Sequence, residues 1–261
     1  MSTPLTVVVG GALASAFRDP CHVRTIQVAD GANGAYHRII RSEEGHAYSI
    51  KCAKRLGGQI GDRNELLANR LAEAVGIRGS SIARKIPPIP DLGAPFDTGE
   101  LVAIRWGLPK SVKILAAIES IHNAPESFLH QLGTWAVFCA AIGASDRGQQ
   151  NLVWDSESRT LAHVDFEDAF RGAGNIQEQV QWARPYGNLD PAAWRRDPNY
   201  PAGVALASGV IDGNHAMMIH KSSTIESMAS AGIELHVRER AAAWIELDPE
   251  SKVELVKASV G

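Results

Sequence analysis

The run GASDRGQQNLVWDSESRTLAHVDFEDAF, residues 143–170, places three polar side chains at set separations along the chain. Asn151 follows Asp146 by five residues, and Asp165, the first member of an Asp-Phe pair, stands fourteen residues beyond Asn151. The β-prone run LVW, the turn-like DSESR and the apolar run TLAHVDF are typical of a β-hairpin. We therefore expect the hairpin to bring Asp165 beside Asn151, with Asp146 on the loop that precedes it.

Three such groups suit the transfer of a phosphoryl group from ATP. That reaction needs a divalent metal ion against the phosphates, a carboxylate near the attacking hydroxyl and a cation that grips the phosphates from the other side. Mg²⁺ prefers oxygen ligands and keeps several waters, so one carboxylate and one amide oxygen from the protein are enough. The spacing predicts Asp146 as the catalytic carboxylate, and Asn151 with Asp165 as the Mg²⁺ ligands.

A simpler interpretation stays open for part of this run. Asp146 and Asn151 are also typical of loops, where their side chains bond the local backbone. Asp165 fits that interpretation less well, because an acid within the apolar run LAHVDF is costly to bury without a cation or hydrogen-bond donors. We expect His163, in the same strand, to be a packed side chain rather than a ligand.

The chain before residue 108 is rich in strand signals. Residues 23–54 predict a three-stranded antiparallel meander, VRTIQVAD, AYHRII and HAYSIKCAK, with turns at DGANG and RSEEG. DRNELLANRLAEAVGI, residues 62–77, predicts an amphipathic helix from the spacing of its leucines. The proline-rich residues 85–100 predict a loop, and LVAIRW, residues 101–106, a further strand.

Lys51 is the candidate for the missing cation. The alternation of the strand AYSIKCAK puts Lys51 on the face opposite the large apolar side chains. A lysine facing a cleft there needs a carboxylate partner, and Glu65 lies near the start of the next helix, so we expect the pair to orient Lys51 toward the phosphates. Two alternatives stay open: Lys51 as a solvated edge-strand residue, and Glu65 as part of a capping box with Asp62.

The turn DGANG, residues 30–34, is the candidate phosphate loop. Gly31 and Gly34 flank Asn33, and the missing side chains let backbone amides approach a triphosphate. An ordinary hairpin turn explains the same residues equally well.

The chain after residue 108 reads mainly as helices. Four stretches each predict a helix: SVKILAAIESI, ESFLHQLGTWAVFCAAIGAS, NHAMMIHKSSTIESMASAGI and ELHVRERAAAWIEL. Residues 172–191, rich in Gly, Pro and Asn, look irregular. At the other end, MSTPLTVVVGGALASAF predicts a first strand and not a secretory signal, because no basic residue precedes Arg18. We expect an α+β fold of two lobes, residues 1–107 rich in strands and residues 108–261 mostly helical.

Composition limits the classes of function. The net charge is only −3 and 45% of the residues are hydrophobic, so nothing indicates the concentrated basic surface that nucleic-acid binding needs. No stretch approaches the length of a membrane span. The three cysteines are too few and too scattered for a disulfide framework or a zinc site, which favours a reducing compartment, the cytoplasm.

The combination of YSIK, NELLANRLAEAVGI, SDRGQQN and HVDFEDAF, across residues 23–170, resembles the HipA-like kinases and, more distantly, the phosphatidylinositol kinases. The resemblance implies a bilobal protein-kinase-like fold with ATP between the lobes. It implies that Lys51 contacts the phosphates and that Glu65 is its helix partner. By the same resemblance Asp146 is the catalytic aspartate, and Asn151 and Asp165 hold the metal.

Two positions depart from the family pattern. Gly148 stands where the family often has a histidine, which leaves Arg147 as the cation near the catalytic loop. The triplet Asp165-Phe166-Glu167 lacks the glycine of the common protein kinases, and Glu167 is a further possible ligand or a structural acid.

Three functions follow as hypotheses. The first is an ATP- and Mg²⁺-dependent kinase that phosphorylates a hydroxyl, and only the resemblance makes that hydroxyl a protein serine or threonine. The second is a small-molecule kinase for an antibiotic or sugar, with Glu167, Asp168 and Glu178 as candidates for an acidic acceptor pocket. The third is a nucleotide-binding pseudokinase that acts as an interaction module, in which Gly148 reflects lost catalysis.

Overall fold

A five-stranded antiparallel sheet forms the first lobe of the computed structural model, which describes residues 4–28, 36–52, 60–108, 115–116, 125–144, 151–170 and 189–260. The strands are β1 Val23–Val28, β2 His37–Ser42, β3 Ala47–Cys52, β4 Ile82–Ile86 and β5 Leu101–Arg105. Their order across the sheet is β1-β2-β3-β5-β4, so β3 is central. The predicted meander of the first three strands is confirmed. β4 was not predicted, and it overlaps the start of the expected loop.

The first lobe begins with a helix, α1 Pro4–Phe17, where we expected a strand. The prediction was wrong because Val9, Leu13 and Phe17 recur at helical spacing and are buried on one side. Together they pack against the sheet face that carries Tyr48 and Ile50. The apolar side chains of α1 therefore cover the face of the sheet opposite Lys51.

The predicted amphipathic helix is α2, Ile60–Val75. Leu67, Leu71 and Val75 belong to the hydrophobic core of the second lobe, whereas Leu66 packs against a cluster that includes sheet residues. The capping-box interpretation of Glu65 is wrong, because the helix already begins at Ile60, before Asp62.

The second lobe contains a small sheet against a long helix. Its strands are β6 Leu115–Ala116, β7 Leu152–Asp155 and β8 Thr160–His163, and all neighbours pair antiparallel. The predicted hairpin is therefore confirmed. A helix was predicted over residues 111–121, but Leu115–Ala116 form β6, which pairs with β7, so the prediction is wrong there. The other residues of this range lie outside the described part of the chain.

Helices account for the rest of the described second lobe: α3 Glu126–Ala141, α4 Pro191–Arg196, α5 Pro201–Ile219, α6 Lys221–Ser230, α7 Leu235–Glu246 and α8 Pro249–Val260. The predictions of α3 and α7 are confirmed. A single helix was predicted where the end of α5 and α6 are separate, and α4 and α8 were not predicted. α3 and α5 pack so closely that a Cβ on Gly209 would lie 1.8 Å from the carbonyl oxygen of His130.

The α+β fold predicted from the sequence, rich in strands first and mostly helical afterwards, is confirmed by this arrangement of sheet, helices and hairpin. The expected irregular segment lies almost wholly outside the described residues. Among the helices that the structure describes, none combines the length and apolar character required to cross a bilayer.

Candidate functional site

Lys51 lies at the junction of three chain segments. It sits in the central strand between His37 of β2 and Val102 of β5, and only 7% of it is exposed. Its Nζ atom is 3.1 Å from Oε2 of Glu65 and 2.8 Å from Oδ1 of Asp165. The expected Lys51–Glu65 ion pair is present, and the alternative of a solvated edge-strand lysine is wrong.

The surroundings of Lys51 keep it charged. Burial alone lowers the pKa of a lysine, because a low-dielectric environment disfavours the ammonium. The negative charges of Glu65, Asp165 and Glu167 outweigh burial and raise the pKa of Lys51 above its ordinary value. The carboxylate of Glu167 is the most distant of the three, at 3.9 Å from Nζ. Lys51 is therefore a fixed positive charge at neutral pH.

Glu65 is oriented through both of its carboxylate oxygens, and only 1% of the residue is exposed. Oε1 accepts a hydrogen bond from Nδ2 of Asn69 at 3.0 Å. Oε2 accepts from Lys51 and also from the backbone N–H of Phe166, at 2.8 Å. Glu65 thus ties α2 both to the sheet and to the residue that follows Asp165.

Asn64 of α2 forms hydrogen bonds that link this helix to the segment after the hairpin. Its Nδ2 donates to the carbonyl oxygen of Glu167 at 3.1 Å and to that of Ala169 at 2.6 Å. The sequence reasoning missed Asn64 and Asn69. The available signal was a pair of asparagines that flank Glu65 in NELLAN, on the part of the helix that turned out to be buried.

Asp165 follows β8 in an unusual backbone conformation. Its φ is 71°, in the left-handed region that few residues other than glycine adopt, and such strain often accompanies a functional site. The next side chain, Phe166, is fully buried against the rings of Trp135, Phe138 and His163. This anchor fixes the chain so that the Asp165 side chain, 32% exposed, points to Lys51. His163 is packed, as expected.

Asn151 lies beside Asp165 on the hairpin. The carbonyl oxygen of Asn151 accepts a hydrogen bond from the N–H of Val164 at 2.9 Å, so the residue stands across from the neighbour of Asp165. Within the described ranges, no three His, Cys, Asp or Glu side chains form a metal cluster. Carboxylate and amide oxygens, the side-chain groups of Asp165 and Asn151, are nonetheless the hard donors that suit Mg²⁺ with several waters.

Five predicted site residues lie outside the described part of the chain: Asp146, Arg147, Gly31, Asn33 and Gly34. Gly148 and Glu178 also lie outside it. The described residues therefore bring together the side chains of Lys51, Glu65 and Asp165. The backbone of Asn151 lies opposite Val164, the residue before Asp165.

Comparison with known proteins adds little to this geometry. No protein-family model and no curated protein matches the chain. Among solved structures it is similar to the proinflammatory kinase CtkA of Helicobacter pylori, with a TM-score of 0.47 and 10% sequence identity. The match covers 92% of this chain and 96% of that chain. A likeness this distant carries no argument about activity.

Proposed function

We propose that the chain is an ATP-dependent phosphotransferase that moves the γ-phosphoryl group to a hydroxyl. The observation that carries the proposal is the convergence of a buried lysine, a helix carboxylate and a hairpin carboxylate. Glu65 and Asp165 lie 14 and 114 residues from Lys51 in sequence, yet both accept hydrogen bonds from its Nζ atom. Such an arrangement suits the binding of a polyanion next to a divalent cation.

Lys51 has the capacity to bind a phosphate oxygen. An ammonium has three N–H donors. Among the described residues, two of these donors are directed at Glu65 and Asp165. We assign the third donor to an oxygen of ATP, with the carboxylate of Glu167 nearby at 3.9 Å from Nζ. The pair with Glu65 orients the ammonium toward the bound nucleotide.

Asp165 and Asn151 are the residues that would hold Mg²⁺. When bound, the ion supplies positive charge that neutralises the phosphates as the γ-phosphoryl group is transferred. The proposal is supported by the backbone hydrogen bond between Asn151 and Val164, the residue before Asp165.

Asp146 is proposed to accept the proton of the attacking hydroxyl, with Arg147 as a nearby cation. Gly31, Asn33 and Gly34 are proposed to cover the phosphates with backbone amides. The role of the turn rests on its glycines, which let backbone amides approach a triphosphate. A protein serine or threonine as the acceptor rests on the resemblance to the HipA-like kinases alone.

A transfer assay tests the proposal. The chain is incubated with ATP labelled at the γ-phosphate, with and without Mg²⁺, in the presence of mixed proteins or of aminoglycosides and sugars. Mg²⁺-dependent label on serine or threonine is the expected result, whereas label on the small molecules indicates the small-molecule kinase. Thermal stabilisation by Mg²⁺-ATP without transfer indicates the pseudokinase. Absence of both stabilisation and transfer overturns the proposal.

A further inference from the structure

Helix α5 carries a row of exposed aliphatic side chains. Val204, Ile211 and Met218 are 41%, 43% and 44% exposed. They follow one another at intervals of seven residues, close to two helical turns, so they lie in one row along the helix. Single exposed aliphatic residues are ordinary on a protein surface, whereas a row with this spacing is typical of a contact between two helices.

The exposed face of α5 is nearly symmetric about Ile211. Val204 precedes Ile211 by seven residues and Met218 follows it by seven. Beside this row, Ser208 precedes Ile211 by three residues and His215 follows it by four. Ser208 and His215 lie within about 20° of each other around the helix axis, on the same side of the row. Such a face is self-complementary, as the interface of a two-fold symmetric dimer must be.

A two-fold axis at Ile211 opposes residues of matching chemistry from two antiparallel copies of α5. Ile211 meets Ile211 of the second copy, and Val204 meets Met218, so the row is covered by aliphatic side chains. Ser208 meets His215, and the hydroxyl donates a hydrogen bond to an imidazole nitrogen. The symmetry forms this hydrogen bond twice.

A cavity beside the first half of the row fits an apolar side chain from the other end of the helix. The cavity has a volume of about 440 Å³, and Pro201 and Val204 contribute to its lining. Ile219, which is 65% exposed, stands eighteen residues or five turns after Pro201, so both project from the same side of α5. The same axis therefore brings Ile219 of each copy to the cavity of the other. Glu126 also lines the cavity but is exposed, so its carboxylate keeps its contact with water.

We propose that the chain forms a two-fold symmetric dimer through α5, with the two helices antiparallel and Ile211 at the axis. Burial of the aliphatic row supplies the attraction. The two hydrogen bonds between Ser208 and His215 fix the alignment, because a shift of one helical turn breaks both. On its opposite side α5 is held against α3 through Gly209 and Gly213, so the face is preformed. Dimer formation does not depend on the proposed phosphotransfer.

Sedimentation velocity of the full chain tests for the dimer. With rising concentration, the wild type is expected to pass from the mass of one chain to twice that mass. Ile211→Glu places two like charges together at the axis and is expected to raise the dissociation constant about a hundredfold. Leu235→Glu is the matched control, because Leu235 is an equally exposed aliphatic residue of α7 outside the row. Both variants change exposed side chains, so thermal unfolding is expected to match that of the wild type.

Disulfide cross-linking tests the orientation of the two helices. The three native cysteines are buried, so an introduced surface cysteine reacts first. Under mild oxidation Ile211→Cys is expected to cross-link with itself. Val204→Cys and Met218→Cys are expected to cross-link with each other when mixed, but neither with itself. Leu235→Cys, the control, is expected to stay monomeric under oxidation.

Three results overturn the proposal. The first is the mass of a single chain at every concentration, and the second is equal weakening by Ile211→Glu and Leu235→Glu. The third is cross-linking of Val204→Cys or Met218→Cys with itself and not in the mixture, which contradicts the antiparallel orientation. None of these measurements contains ATP, so their outcome is separate from any failure of phosphotransfer.

Discussion

Nζ of Lys51 and Oδ1 of Asp165 lie 2.8 Å apart, although 114 residues separate them in the sequence. This contact joins the central strand of the first lobe to the hairpin of the second. Because Glu65 bonds to the same ammonium, the three side chains act as one charged unit. The contributions of this unit to stability and to nucleotide binding can be measured separately.

Lys51→Met is expected to destabilise the fold by about 3 kcal/mol, because it leaves the buried carboxylate of Glu65 without its cation. Urea unfolding at neutral pH measures the change. Lys85→Met is the control, since it removes an exposed lysine from an exposed pair with Glu100 and is expected to cost less than about 1 kcal/mol. An equal loss of unfolding free energy in the two variants would show that the buried Lys51–Glu65 pair contributes no more stability than the exposed Lys85–Glu100 pair.

The contribution of Lys51 to stability should depend on pH in the alkaline range. Its pKa is raised in the folded state, so the stabilisation is fully present below the pKa of an unfolded lysine, about 10.4. It is lost as the pH rises through the higher folded value. The difference in unfolding free energy between wild type and Lys51→Met should therefore be constant from neutral pH to about pH 9 and shrink above about pH 10.4. A difference that grows with pH would contradict the sign of the shift.

Asp165→Asn is expected to weaken Mg²⁺-ATP binding at least about tenfold, because a neutral amide cannot replace the charge of the carboxylate. Isothermal titration with a non-hydrolysable ATP analogue, with Mg²⁺ or with EDTA, provides the measurement. Asp212→Asn serves as the control, since Asp212 is an exposed residue of α5 paired with His130. If Asp165→Asn and wild type bind with the same affinity, Asp165 has no metal role.

Asn64→Ala tests the link between α2 and the segment after the hairpin. Loss of the amide leaves the carbonyl oxygens of Glu167 and Ala169 without this donor, and the expected cost is about 2 kcal/mol of stability. Asn199→Ala, at an exposed position, is the control and should be nearly neutral. Urea unfolding of both variants distinguishes a structural link from an incidental contact.

Lys51→Met is also expected to reduce phosphoryl transfer by about a hundredfold or more, if the ammonium stabilises phosphate charge in the transition state. Lys257→Met, which removes a lysine from the last turn of α8, is the control. Single-turnover assays at saturating ATP separate this effect from weaker binding. Normal turnover in Lys51→Met would exclude the proposed role.

The sequence predicted the elements whose pattern is periodic and local. The alternation around Lys51 survives in the structure because the large apolar side chains of β3 pack under α1, whereas Lys51 lies on the other, also buried, face. The leucine spacing of α2 survives because its leucines pack in the core. α1 was not predicted because the exposed Val7 and Val8 obscure the buried stripe of Val9, Leu13 and Phe17. β6 was not predicted because its two residues stand inside a helix-like run. A two-residue strand such as β6 forms because of its pairing with β7, which is distant in the sequence.

The charged residues of the site were predicted from the sequence, whereas the polar residues that position them were not. Lys51 and Asp165 are conspicuous because charged groups in apolar strand runs need partners, and Glu65 followed as the partner that Lys51 needs. Asn64 and Asn69 are not conspicuous, because polar residues on an amphipathic helix ordinarily face water. The left-handed backbone at Asp165 depends on the burial of Phe166 among aromatic rings, and no local pattern encodes that.

Helix α2 shares the core of the second lobe through Leu67, Leu71 and Val75, whereas Lys51 belongs to the sheet. A hinge rotation that swings the sheet away from the helical body would therefore pull the ammonium off Glu65. Widening the cleft and breaking the ion pair are the same event in this molecule. The Lys51–Glu65 ion pair therefore opposes any separation of the sheet from the helical body.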